Sequence, residues 1–167
     1  MDTAKLVRYI TNPKHQFGAD VQAMIEAQSV APVLNYRNVL VLSEWVVLPD
    51  GLFGNSFRLI HTTQLVWLYG KETKHSINFI PVGTSHGIVL CYHDALGKAY
   101  RSGIDTTNKA IQEELLSTIW GRAPWAIAGW DDYLSKSWRD RPIELFRAKE
   151  GRLSTLIHAT PEKSDEK

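Results

Sequence analysis

The sequence predicts an α+β domain in which a run of short β-strands is closed by one amphipathic helix, the pattern of a small β-barrel or β-sandwich. Three observations carry this reading. From Val33 the apolar period falls from roughly 3.6 to 2, and β-branched and aromatic residues replace the alanines of the first thirty positions. Turn-forming residues punctuate the run that follows. The run then ends at a helical stripe, Ile111, Leu115 and Ile119, widened by Leu116 and Trp120.

Taken in chain order, residues 1–32 read as two short helices that dock onto the core. Asp2 or Thr3 caps a segment carrying Leu6, Val7 and Ile10, which stops before Asn12-Pro13; Ala19 to Ser29 then places Val21, Met24, Ile25 and Gln28 at helical spacing. Helices this short need a surface to cover. Residues 33–122 form the core, with about seven strands at Val39–Leu42, Trp45–Leu48, Phe57–His61, Leu65–Lys71, Ser76–Pro81, Gly87–His93 and Lys98–Ser102. Pro49-Asp50-Gly51, Gly54-Asn55, Gly83-Thr84-Ser85 and Asp94-Ala95-Leu96-Gly97 supply the turns. Leu65 to Pro81 fits either two strands or one long strand bent or bulged at Gly70. Asp105 is the expected cap of the closing helix, Thr106 to Trp120, which Gly121 and Pro124 end.

Residues 123–159 are a Trp-rich extension. Asp131 is placed to cap a short helix through Trp138, and Ile143 to Ala159 is either a helix or a strand followed by a helix, since Gly151 weakens the first option. Residues 160–167 are expected to be a disordered tail, because Pro161 to Lys167 carries five charges and almost no apolar side chain.

Composition excludes more than it identifies. The 167 residues are 44% hydrophobic and 22% charged with a formal net charge of +1, so no strong field recruits nucleic acid or an anionic membrane. A single cysteine, Cys91, fits a reducing compartment, and the longest apolar runs are far too short for a membrane helix. The N-terminal stretch lacks the apolar core of a signal peptide, because Lys5, Arg8, Asn12 and Lys14 interrupt it. A cytoplasmic location is expected, with no transmembrane segment.

The residues capable of chemistry do not form a recognisable constellation. The six histidines (His15, His61, His75, His86, His93, His158) lack the spacing of metal ligands, and no Gly-rich phosphate loop is present, so neither metal nor cofactor is expected. Cys91 and His93 share a strand face, but the oxyanion donors and thiolate-stabilising setting of a nucleophilic site are missing from the spacing. No catalytic residue is therefore assigned; an enzyme would have to assemble one from distant positions such as Cys91, His93 and Asp131. Lys71, Lys74 and His75 gather within a short span and, with Arg101, are the candidate contacts for a partner or an anion. Four of the six tryptophans lie between Trp120 and Trp138, a spacing that fits anchoring of the extension to the core.

The strand series and closing helix are similar to a pleckstrin-homology-like (PH-like) domain. More narrowly, Leu65-Val66-Trp67-Leu68-Tyr69-Gly70-Lys71, Asn78-Phe79-Ile80-Pro81-Val82-Gly83-Thr84-Ser85 and Ala123-Pro124-Trp125-Ala126-Ile127-Ala128-Gly129-Trp130 resemble an uncharacterised bacterial family of that fold, over about residues 38–147. The resemblance implies a bent antiparallel barrel and carries no activity. The basic pattern of phosphoinositide-binding members is absent from Asn38 to Val47. The expectation is a non-enzymatic PH-like module for a protein partner. The alternatives are a toxin-neutralising (immunity) protein and a binder of anionic lipid or another anionic ligand.

Overall fold

The computed structural model describes residues 1–15, 17–50, 56–77 and 80–159. Gly51, the Gly54-Asn55 turn and the 160–167 tail lie outside them, as do Asn78 and Phe79 of the second resembling motif. Two helices, α1 (Thr3–Ile10) and α2 (Ala19–Val30), precede a four-stranded antiparallel meander of β1 (Leu34–Tyr36), β2 (Val39–Val41), β3 (Trp45–Asp50) and β4 (Ser56–His61). A second sheet follows, made of β5 (Leu65–Ile77), β6 (Ile80–His93) and β7 (Ala99–Thr106). The chain continues through α3 (Lys109–Arg122), the two-residue β8 (Ile127–Ala128), α4 (Asp132–Asp140) and α5 (Pro142–Ala159). β8 adds to the second sheet in parallel with β5.

Layering explains the continuous apolar runs of the sequence. The inward faces of the two sheets (Val39, Val41, Val46, Leu48 and Ile60 against Leu65, Leu68, Ile88, Leu90 and Ile104) meet in one core, which α3 closes with Leu115 and Ile119. The outward face of the first sheet is also buried, because Leu6, Ile10 and Ile25 of α1 and α2 cover Leu40, Leu42, Val47 and Phe57. Trp138, Leu145 and Phe146 of α4 and α5 cover Trp67 and Cys91 on the outward face of the second. Strands covered on both sides are apolar at successive positions rather than alternate ones. Each fully buried Leu or Ile of the N-terminal helices contributes about 1.5–3 kcal/mol, which holds in place helices too short to persist alone in water.

Several elements depart from the expectation. Among the described residues no strand pairing joins the two sheets into a closed barrel, eight strands are present rather than about seven, and five α-helices appear. Ser76–Pro81 is not a strand of its own: β5 and β6 form one long hairpin, with Ile77 paired to Ile80 and a register shift at His75/Ser76. Gly83-Thr84-Ser85 is not a turn, since those residues pair with His75, Lys74 and Thr73 within that hairpin. Lys71 to Ser76 is polar at every position, so that stretch carries no apolar alternation to betray a strand. Gly70 keeps regular register opposite Ile88. Pro49 and Asp50 lie in β3, opposite Phe57 and Ser56. β7 runs on to Thr106 because β6 offers it partners as far as His86, so Asp105 is a strand residue and Asn108 caps α3, its Oδ1 accepting from Ile111 N at 3.0 Å. Gly121 falls within α3, and α5 passes through Gly151 without a break. The 94–97 turn and the Asp131 cap are as expected: Asp94 N donates to Lys98 O at 3.0 Å with Gly97 at φ +78°, and Asp131 Oδ1 accepts from Leu134 N at 2.8 Å.

Two polar devices hold the layers in register. Arg58 of β4 pairs with Asp50 at 2.8 Å and donates to Tyr92 Oη and Ser102 Oγ of the second sheet at 3.2 and 3.1 Å, bridging the sheets where backbone pairing does not. Gln112 of α3, only 5% exposed, donates from Nε2 to Lys71 O at 3.1 Å and Gly87 O at 2.6 Å. Its approach needs glycine beneath it, because a Cβ on Gly70 would lie 2.9 Å from that same Nε2.

Replacing Gln112 by Ala is expected to cost about 1–3 kcal/mol through the lost bonds and the space left behind. Gly70→Ala should destabilise the native chain but cost measurably less in the Gln112→Ala background; urea denaturation of the four proteins closes the cycle. Additive losses would show that the two residues do not share the contact.

His61 supplies a pH dependence. Burial lowers its pKa below the ordinary 6.5, and its Nδ1 accepts from Thr63 N at 3.3 Å to cap the turn Thr62–Gln64. The neutral ring is the one that fits, so this contribution is intact above pH 6.5 and is lost as the pH falls through the lowered folded value. His61→Asn keeps a capping acceptor that does not titrate. The wild-type urea midpoint is expected to fall more steeply than the variant's between about pH 7.5 and 5.

Candidate functional site

Strand alternation sorts the four basic residues named from the sequence. Side chains of Trp67, Tyr69, Lys71 and His75 point to the outward face of the second sheet, and the register Trp67↔Cys91↔Arg101 puts Arg101 on that face as well. Lys74 points to the opposite face. The Lys71, Lys74 and His75 cluster is therefore not one patch. His75 Nε2 lies 2.9 Å from Ser85 Oγ, a cross-strand contact within the exposed hairpin.

Lys71 and Arg101 instead come together around a cleft of about 480 Å³ where the cover of α4 and α5 ends. Tyr69 and Val89, 5% and 7% exposed, form its floor, and Trp130 stands as a wall. The Trp130 indole packs edge-on to Tyr69 at 4.8 Å between ring centroids and lies 5.6 Å from Trp67, yet 56% of the residue is exposed. Trp130 Nε1 donates to Asp132 Oδ1 at 3.2 Å, which fixes the ring. The Arg101 guanidinium lies 6.0 Å from the centre of the Trp67 ring. Among the described residues neither Lys71 nor Arg101 has a carboxylate within ion-pair distance.

Trp125 and Trp138 of the extension, with Trp120 of α3, anchor it. Trp138 is buried, Trp125 Nε1 donates to Thr62 O at 3.2 Å, and Trp120 Nε1 donates to Ala126 O at 3.0 Å. Trp67 Nε1 reaches across to Gly129 O at 2.6 Å and pins β8 against β5.

The residues from which a distant catalytic site would be assembled are engaged elsewhere. Burial pushes the Cys91 thiol up to about 11, with nearby Arg101 pulling the other way. Asp131 caps α4. The His93 ring lies 4.7 Å from Phe146 and is held between Asp94 O, 2.9 Å from Nδ1, and Lys149 Nζ, 3.0 Å from Nε2. Because Nζ only donates, Nε2 accepts and Nδ1 carries the proton. Lys149, 1% exposed, also donates to Thr63 O at 2.6 Å and to Glu150 Oε1. This buried lysine was not anticipated, although its spacing from Leu145 and Phe146 puts it on their stripe; it ties α5 to β6 and to the turn before β5. Among the described residues no three His, Cys, Asp or Glu side chains gather as metal ligands, and no helix is long and apolar enough to cross a membrane.

No family model matches the chain, and no curated protein and no solved structure matches it. Neither the bacterial family nor the PH-like fold that the motifs resemble is identified by these comparisons.

The setting of Cys91 makes its reactivity a test of the packing around it. Ellman's reagent at pH 7.5 is expected to modify the native thiol at least about a hundredfold more slowly than the thiol in denaturant, since both access and thiolate fraction are suppressed. Rapid native labelling would mean that α4 and α5 do not seal this face.

Proposed function

We propose that the chain is a non-enzymatic binding module of PH-like design that holds a protein partner by strand addition at the outer edge of β5. The supporting topology is a four-strand meander, a three-strand meander and then a helix that closes the core between them. The observation that carries the reading is the way β8 stops. It pairs with Trp67 and Leu68 alone, Gly129 N donates to Leu68 O at 2.9 Å, and Gly129 at φ +105° turns the chain away. Since Leu68 directs its carbonyl to that edge, alternation directs the backbone groups of Gly70, Glu72 and Lys74 to the same edge. All three residues are exposed. Among the described residues no strand pairs with this edge beyond Leu68, and such an edge beside a short pre-existing strand is the geometry on which an extended segment adds. A toxin-neutralising protein would be one form of this module, with the toxin as the partner.

Anionic-membrane binding has less support, because Lys74 faces away from Lys71 and His75 and the remaining charges fall short of a polybasic patch.

Glu72→Pro removes an outward N–H without breaking the β5–β6 ladder, so the fold should survive, as judged by circular dichroism. Proteins captured from the native host's lysate by the wild-type chain should be lost with this variant. Equal capture by a folded variant would place the interface elsewhere.

A further inference from the structure

We propose that the cleft between Tyr69, Val89, Lys71, Arg101 and Trp130 is a binding site for a small aromatic anion, a flat ring carrying a carboxylate or a phosphate. This site lies on the outward face of the second sheet and does not depend on a protein at the β5 edge.

Three properties argue for that ligand class. Size comes first: about 480 Å³ lies within the range of small-molecule pockets. The second is shape. The floor is an aromatic ring and an aliphatic side chain, both nearly buried, and the wall is an indole held by two other aromatic rings and by Asp132. A rigid, half-exposed indole standing over such a floor offers a stacking surface for a flat ring. The third is charge. Lys71 and Arg101 border the cleft without ion-pair partners among the described residues, and Glu72, although at the rim, directs its carboxylate to the opposite face, 3.7 Å from His86 Nδ1. Two cations without a carboxylate partner among the described residues, Arg101 also bonding the Cys91 thiol, stand beside an aromatic slot and fit an anionic substituent on the ring, with Arg101 supplying a planar fork and Lys71 a point charge.

Other features of the molecule are already occupied. The opening between the sheets near Arg37 and Asp105 has its central guanidinium, Arg58, committed to Asp50, Tyr92 and Ser102. The buried Lys149 is bonded to Thr63, His93 and Glu150.

The test follows the Trp130 indole N–H resonance in the full chain, assigned by its loss in Trp130→Phe, during titration with benzoate, indole-3-acetate and AMP. Benzamide, indole-3-acetamide and adenosine are the neutral counterparts. At least one anion is expected to bind saturably with a Kd below about 1 mM, and its neutral counterpart at least about tenfold more weakly. Lys71→Gln and Arg101→Gln should each weaken binding by about tenfold, whereas Lys74→Gln, on the opposite face, should leave it unchanged. Lys71 is exposed, so its variant keeps the test valid if the Arg101 variant fails to fold. Preference for AMP over the two carboxylates would indicate a nucleotide-like ligand, and the reverse an aromatic acid. The proposal falls if no anion perturbs Trp130 saturably, if neutral and charged probes bind alike, or if Lys71→Gln and Lys74→Gln behave the same.

Discussion

The fold depends on one buried amide. Gln112 reaches from α3 into the second sheet and donates to carbonyls of both β5 and β6, which fixes the helix that closes the central core against its strands. A buried amide without partners would cost more than its bonds return, so α3 has one favourable seat on the sheet. Glycine at 70 makes room for the amide. Glycine at 87 allows the close approach of β7, since a Cβ there would meet Ile104 O at 2.9 Å. The helix, the hairpin and the third strand of the sheet are thus mutually constrained at one point.

That point is also a boundary. On the body side of Gly70 and Gly87 the hairpin is covered on both faces, by the core and α3 within and by α4 and α5 without. Beyond it, Lys71, Glu72, Lys74 to Ser76 and Pro81 to Ser85 are exposed. Trp130 stands where the outer cover ends, and β8 stops beside β5 at nearly the same level. The strand edge that is unpaired among the described residues and the aromatic cleft are therefore consequences of one arrangement: the extension covers the second sheet only partway along its longest hairpin.

Coverage also explains which side chains are available for chemistry. Cys91 and His93 share the outward face of β6, as their spacing requires, but α5 closes over them; the thiol is pushed up by burial and the imidazole is held by Lys149 and Asp94. Arg101, also on that face but on the edge strand, keeps its guanidinium at the surface. The residues with the more familiar catalytic chemistry serve the packing, while an arginine, a lysine and a tryptophan border the accessible cleft.

The sequence by itself determined the local elements whose signals are local. The switch from helical to strand period at Val33, the Asp94–Gly97 turn, the Asp131 cap and the Leu115/Ile119 stripe rest on capping, φ preference and periodicity within a few residues. It also named Lys71 and Arg101, by charge alone. Tertiary structure decided the rest. Asp105 lost its cap role because β6 keeps β7 extended past it, and the choice between two strands and one long strand from Leu65 was settled only by β5 pairing with β6 as far as Ile77. Lys74 separated from Lys71 through face alternation in a strand that had no clear boundary in the sequence. Trp130 differs from Trp138 only in where the end of the helical cover leaves it, and that depends on contacts more than sixty residues apart, such as Trp67 with Gly129. Such contacts leave no periodic trace in the chain, because the free energy that selects them comes from surfaces that meet only after folding.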